Sequence, residues 1–113
     1  MKILTLDVSD RKAVSRRALE AFKGRDQGAR ISFATPELLF RLLTAKRWEI
    51  VRTMTGAGPL SIRETARRVN RDVKAVHGDV HALLTAGMLW KTQDGQIEFP
   101  FNAIHIDATV KAA

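Results

Sequence analysis

An α+β fold is predicted for this chain by three observations. Between residues 36 and 86 apolar side chains recur at helical spacing in consecutive short blocks, each opened by a capping residue. Two short apolar-alternating segments then flank Asp94-Gly95, a hairpin signal. Alternating segments stand at both ends of the chain, around residues 2–8 and 104–110. With 113 residues, 45% of them hydrophobic and 27% charged, the chain suits one compact domain with a short arm.

The elements follow in order. Lys2-Ile3-Leu4-Thr5-Leu6-Asp7-Val8 puts Leu4, Leu6 and Val8 on one side of a half-buried strand. Ser9 is placed to cap a helix from Asp10 to about Arg25. Its stripe is Val14, Ala18, Ala21 and Phe22, with Lys12, Arg16, Glu20 and Lys23 opposite. Gly24 and Gly28 end it, and Ile31-Ser32-Phe33-Ala34 is briefly extended. Thr35-Pro36-Glu37 supplies an N-cap, a proline at the first helical position and a first-turn acid for a helix carrying Leu38, Leu39, Leu42 and Leu43. Thr44 caps a second helix, Ala45 to Thr55, expected to bury Trp48, Val51 and Met54, and Gly56-Ala57-Gly58-Pro59 stops it.

Ser61-Ile62-Arg63-Glu64 has the spacing of a capping box, serine and glutamate each satisfying a backbone donor of the other. Ile62, Thr65, Ala66 and Val69 form the inner stripe of that helix. Asn70-Arg71-Asp72-Val73 breaks the chain with a turn former and a new N-cap. The next helix keeps Val73, Val76, Val80, Leu83 and Leu84 inside and ends at Gly87. Met88 to Gln93 and Gln96 to Phe99 form a hairpin through a two-residue type I′ turn at Asp94-Gly95. Pro100 interrupts it, and Ile104, Ile106, Ala108 and Val110 alternate in a last strand.

Three helices, the last two joined by a tight turn and followed at once by a hairpin, make the winged helix-turn-helix pattern. The expected organisation is a strand-helix extension over 1–35, serving dimer or partner contacts, a winged helix-turn-helix over 36–101, and a C-terminal strand over 102–113.

Composition narrows the function. Nineteen lysines and arginines against twelve aspartates and glutamates give a net charge of +7, which suits a polyanion such as nucleic acid. The absence of cysteine excludes disulfides, thiol nucleophiles and cysteine-zinc sites. No apolar run reaches the length of a membrane span, and Met1-Lys2-Ile3-Leu4 does not open a signal peptide, so a soluble cytoplasmic protein is expected, with no membrane partner.

Residues 36–101 resemble MarR-type winged-helix regulators, above all in Ser61-Ile62-Arg63-Glu64-Thr65-Ala66-Arg67-Arg68-Val69, Asp72-Val73-Lys74-Ala75-Val76 and Leu83-Leu84-Thr85-Ala86-Gly87-Met88-Leu89. The ending, with Phe99-Pro100-Phe101 and Ile104-His105-Ile106-Asp107, resembles a narrower set of small prokaryotic DNA-binding proteins, some similar to antitoxins of TumE-type toxin–antitoxin pairs. The resemblance implies a DNA-binding transcriptional regulator, repressor-like, with double-stranded DNA, a second copy and a cognate toxin as partners.

In that fold the helix from Val73 lies in the major groove, and at about 100° per residue its outward arc is Lys74, Ala75, Gly78, His81, Ala82 and Thr85. Arg71 and Lys74 are expected at phosphates and bases beside a helix N-terminus whose N–H groups also face the anion. Ser61, Arg63 and Arg67 are expected at the backbone from the preceding helix, and Lys91 from the wing. Small Ala75 and Gly78 let the helix backbone sit close to a duplex on this reading; the alternatives are a tolerated surface glycine at 78, or Gly78 and Ala82 forming a small-residue surface against another protein helix. Reversing Arg71 and Lys74 to glutamate is expected to abolish binding with the fold intact, with Arg16 and Lys23 as controls.

His77 and His81 stand at i,i+4 without a third ligand, and His77 flanks the apolar stripe, so a half-buried histidine is expected in place of a metal ligand. No oriented nucleophile and base or glycine-rich phosphate loop is present, so no enzyme and no cofactor are expected. The other reading is a winged helix that binds a protein and whose arginines are a solvated face.

Overall fold

The computed structural model describes residues 1–9, 15, 16, 18–20, 28–110 and 112. Its elements are β1 (Ile3–Val8), β2 (Ala29–Phe33), α1 (Pro36–Leu42), α2 (Ala45–Met54), α3 (Ile62–Val69), α4 (Val73–Thr85), β3 (Trp90–Lys91), β4 (Ile97–Glu98) and β5 (Ala103–Asp107). The chain is α+β. Ser15, Arg16 and Ala18 to Glu20 are also helical, with Ala18 exposed. The rest of the first expected stripe, Val14, Ala21 and Phe22, lies outside the described residues, as do Lys12, Lys23 and Gly24. No described helix is long and apolar enough to cross a membrane.

Two compact units form, residues 1–41 with 103–113, and residues 42–102. The division differs from the expected one in two ways: the second unit begins six residues later, at 42 instead of 36, and the terminal strand belongs with the first. The physical reason for the second difference is strand pairing. β1 is the centre of a three-stranded sheet in the order β2-β1-β5, parallel to both neighbours. Leu4, Leu6 and Val8 align with Ala29, Ile31 and Phe33 on one side, and Leu4 and Leu6 with Ile104 and Ile106 on the other. Aligned residues share a face, so these side chains make one apolar surface. The opposite face carries buried Asp7, which pairs with Arg30 and accepts a hydrogen bond from Ser9 Oγ at 2.8 Å. β5 stops at Asp107, short of the expected Val110, which is exposed.

α1 begins as expected, Thr35 Oγ1 accepting the Leu38 amide at 3.2 Å with Pro36 in the first turn. Only Leu39 of its leucines is buried; Leu38 and Phe40 are exposed.

The second unit is built on α2, α3 and α4. Its core is Ile50, Val51 and Met54 from α2, Thr65, Ala66 and Val69 from α3, and Val76, Val80 and Leu83 from α4. Leu60, Met88, Leu89, Ile97 and Phe99 close it. Trp48 is half-buried where full burial was expected, and Val73, expected inside, is exposed at the first position of α4.

Each helix end is made by chemistry within a few residues. Thr44 Oγ1 accepts the Arg47 amide at 3.3 Å. α4 ends in a Schellman arrangement: Gly87, at φ 84°, donates to Leu84 O and Met88 donates to Leu83 O, each at 3.0 Å. α3 ends the same way with Asn70 in the left-handed region, at φ 53°, so that Arg71 N–H reaches Ala66 O at 3.0 Å. Asn70→Ala should therefore cost about 1 kcal/mol in urea unfolding while Asn70→Gly is neutral or stabilising. Equal effects of the two would show that the left-handed turn does not set the stability.

The hairpin departs from the expected type I′ turn. Gly95 has φ 83°, but Asp94 is not in the positive-φ region that type I′ demands of both central residues. Gly95 N–H donates to Thr92 O at 3.1 Å and Thr92 N–H to Gln96 O at 2.8 Å, a type I turn followed by a glycine bulge. Thr92 selects it, since its hydroxyl accepts the Gln96 amide at 3.0 Å and also bonds Asp94. Leu60 pairs antiparallel with Ile97, joining the α2–α3 connection to the hairpin.

Candidate nucleic-acid interface

At the start of α3 the Ser61 hydroxyl accepts the Glu64 amide at 3.0 Å, so Ser61 is occupied as a cap. The expected return bond from Glu64 to Ser61 does not form. Glu64 instead takes Arg67 Nε and Arg68 Nε, each at 2.8 Å, and Arg67 Nη2 as well. Two guanidinium groups one helical turn away outbid a single neutral amide for the carboxylate. Hydrogen bonds from Arg67 and then Arg68 draw the Glu64 carboxyl down to about 2. Arg67 and Arg68 are thus partly neutralised, whereas Arg63 is exposed and forms no ion pair among the described residues.

The turn into α4 holds the largest difference from expectation. Arg71 is directed inward: its Nη2 lies 2.8 Å from Asp79 Oδ2, with both side chains 17% exposed. Arg47 of α2 contributes Nε at 2.9 Å from Asp79 Oδ1 and Nη1 at 3.0 Å from Leu42 O. One carboxylate on α4 therefore ties it to α2 and to the turn. Burial pushes the Asp79 carboxyl up, but the hydrogen bonds and charges of Arg47 and Arg71 together outweigh this and hold it below its ordinary value. Arg71 Nη1 is buried without a hydrogen-bond partner among the described residues. The expectation that Arg71 can be reversed with the fold intact is corrected accordingly, since glutamate at 71 would face Asp79.

A second correction concerns the N-terminus of α4. Asp72 Oδ2 accepts the amides of Lys74 and Ala75 at 3.1 and 3.3 Å. Those donors, expected to face an anion, are occupied by the chain's own carboxylate.

On the outer arc of α4, Lys74, Ala75, Gly78, His81 and Thr85 are exposed and Ala82 is half-buried. Lys74 forms no ion pair among the described residues. A Cβ built on Gly78 meets no heavy atom within 4 Å, so nothing in the chain itself requires glycine there. His77, expected half-buried, is exposed because the arc open to solvent is wider than six residues. Lys91 is exposed on β3 beside Trp90, whose ring meets Phe101 edge-on at 6.2 Å.

The clamp residues Arg47 and Asp79 were missed in the sequence. Asp79 carried a signal: it adjoins Val76, Val80 and Leu83 on the inner side of α4, where a carboxylate needs a cation. Arg47 carried none, being 32 residues away.

No curated protein matches the chain at a significant level. The HVO_A0114 family model matches residues 42–106, which span α2 to α4, the hairpin and most of β5. That match covers more than half of the chain, and the chain belongs to the HVO_A0114 family.

Proposed function

We propose that the chain is a DNA-binding transcriptional regulator in which α2, α3, α4 and the β3–β4 hairpin act as a winged helix-turn-helix, with α4 entering the major groove of double-stranded DNA. The observation that carries this reading is the solvent-open arc of α4, small at Ala75 and Gly78 and polar at Lys74, His81 and Thr85, on a helix anchored from its inner side. A surface helix that reads base edges needs both: side chains short enough for the axis to approach, and an anchor that fixes its angle. Arg63 and Lys91 supply phosphate contacts from α3 and the wing, and Ser61 and Arg67 flank the same approach. Arg71 acts in this scheme as a positioning residue.

Fluorescence anisotropy on a labelled duplex carrying the region upstream of the protein's own gene tests the reading. With three or four phosphates neutralised, log K should fall against log salt with a slope of about −3. Lys74→Glu should weaken binding about tenfold and flatten the slope by about 1, while exposed Arg16→Glu changes neither. Failure to bind at low salt would overturn the proposal.

A further inference from the structure

β5 is an edge strand of the parallel sheet, and its sequence complements itself. Ala103 N–H donates to Lys2 O at 3.3 Å, so Ala103, His105 and Asp107 turn their backbone groups toward β1. Ile104 and Ile106, alternating with them, turn theirs to the open edge. His105, Ile106 and Asp107 are all exposed, Ile106 to 43%. Among the described residues nothing pairs with this edge, and an edge carrying an exposed isoleucine is a surface that proteins ordinarily cover or charge.

We propose that this edge pairs antiparallel with the same edge of a second copy, about a two-fold axis at Ile106. In that register the two Ile106 residues are opposite each other and exchange both backbone hydrogen bonds, which their outward amides and carbonyls allow. His105 of each copy then faces Asp107 of the other at a non-hydrogen-bonded position, where side chains come closest. The two-fold repeats that pair, giving two His–Asp contacts on one face. On the other face Ile104 and Ile106 of both copies extend the apolar surface begun by Leu4 and Leu6. A shift of one residue would break every one of these matches. The other edge has no such complement, since pairing about Ile31 would set Arg30 against Ser32. The partner is therefore a second copy of this chain, and two-fold closure limits the assembly to a dimer. This inference stands apart from the DNA reading, which a monomer could equally satisfy.

Sedimentation velocity of the full chain over a micromolar concentration series tests it, with circular dichroism confirming that each variant is folded. The wild type should dimerise. Asp107→Lys, which sets a cation against His105, should weaken the dimer about tenfold or more. The double variant His105→Asp with Asp107→Lys should restore it, because the charges exchange places across the axis. A monomer at every concentration, an assembly larger than a dimer, or a dimer that ignores Asp107→Lys or is not restored by the double variant would overturn the proposal.

Discussion

Asp79→Ala is expected to lower the unfolding free energy by about 3 kcal/mol, read from urea denaturation, because it leaves two mostly buried guanidinium groups without their carboxylate. Arg47, Asp79 and Arg71 are 24%, 17% and 17% exposed at the side chain, so water can replace only part of what is lost. Asp79→Asn should cost less, since an amide oxygen still accepts a hydrogen bond but carries no charge. The pH dependence has a definite sign. The folded Asp79 carboxyl lies below its ordinary value of 3.8, so its stabilisation is complete above about pH 5 and is lost as pH falls below 4. Wild type and Asp79→Asn should therefore converge in acid. A loss below about 0.5 kcal/mol for Asp79→Ala would mean that the cluster behaves as a solvent-screened surface pair and does not anchor α4.

Gly78→Glu is expected to separate folding from binding. Glutamate is a better helix former than glycine, and a Cβ at 78 meets no atom of the chain, so stability should rise by about 0.5 kcal/mol. On the proposed reading the same change puts a carboxylate at the centre of the arc facing the duplex, and DNA affinity should fall about a hundredfold. Gly78→Ala should show the stability gain with a smaller loss of affinity. Unchanged DNA binding by a folded Gly78→Glu would remove α4 from the DNA contact, whatever the remaining basic residues do.

Helices α1 to α4 and the residues that start and stop them were legible because each signal is local. Thr35, Thr44, Ser61 and Asp72 each accept an amide two or three residues ahead, and Gly87 takes the left-handed turn that glycine permits. The outward arc of α4 was legible too, since helical periodicity fixes which residues oppose Val76, Val80 and Leu83. Competition was not legible. Glu64 could serve Ser61 or the two arginines, and Arg71 could face solvent or Asp79; pattern alone does not rank such choices. At the hairpin the Asp94-Gly95 dipeptide was compatible with two turns, and the Thr92 hydroxyl decided between them.

Sequence by itself determined the elements and their order, because a cap, a turn glycine or an apolar period acts within one or two turns of chain. Only the tertiary structure decided that β5 joins β1 and β2 in one parallel sheet, and that Arg47 reaches Asp79 to secure α4. Those partners lie tens of residues apart, and their pairing depends on which alternative buries the most apolar surface while leaving the fewest charges unmatched.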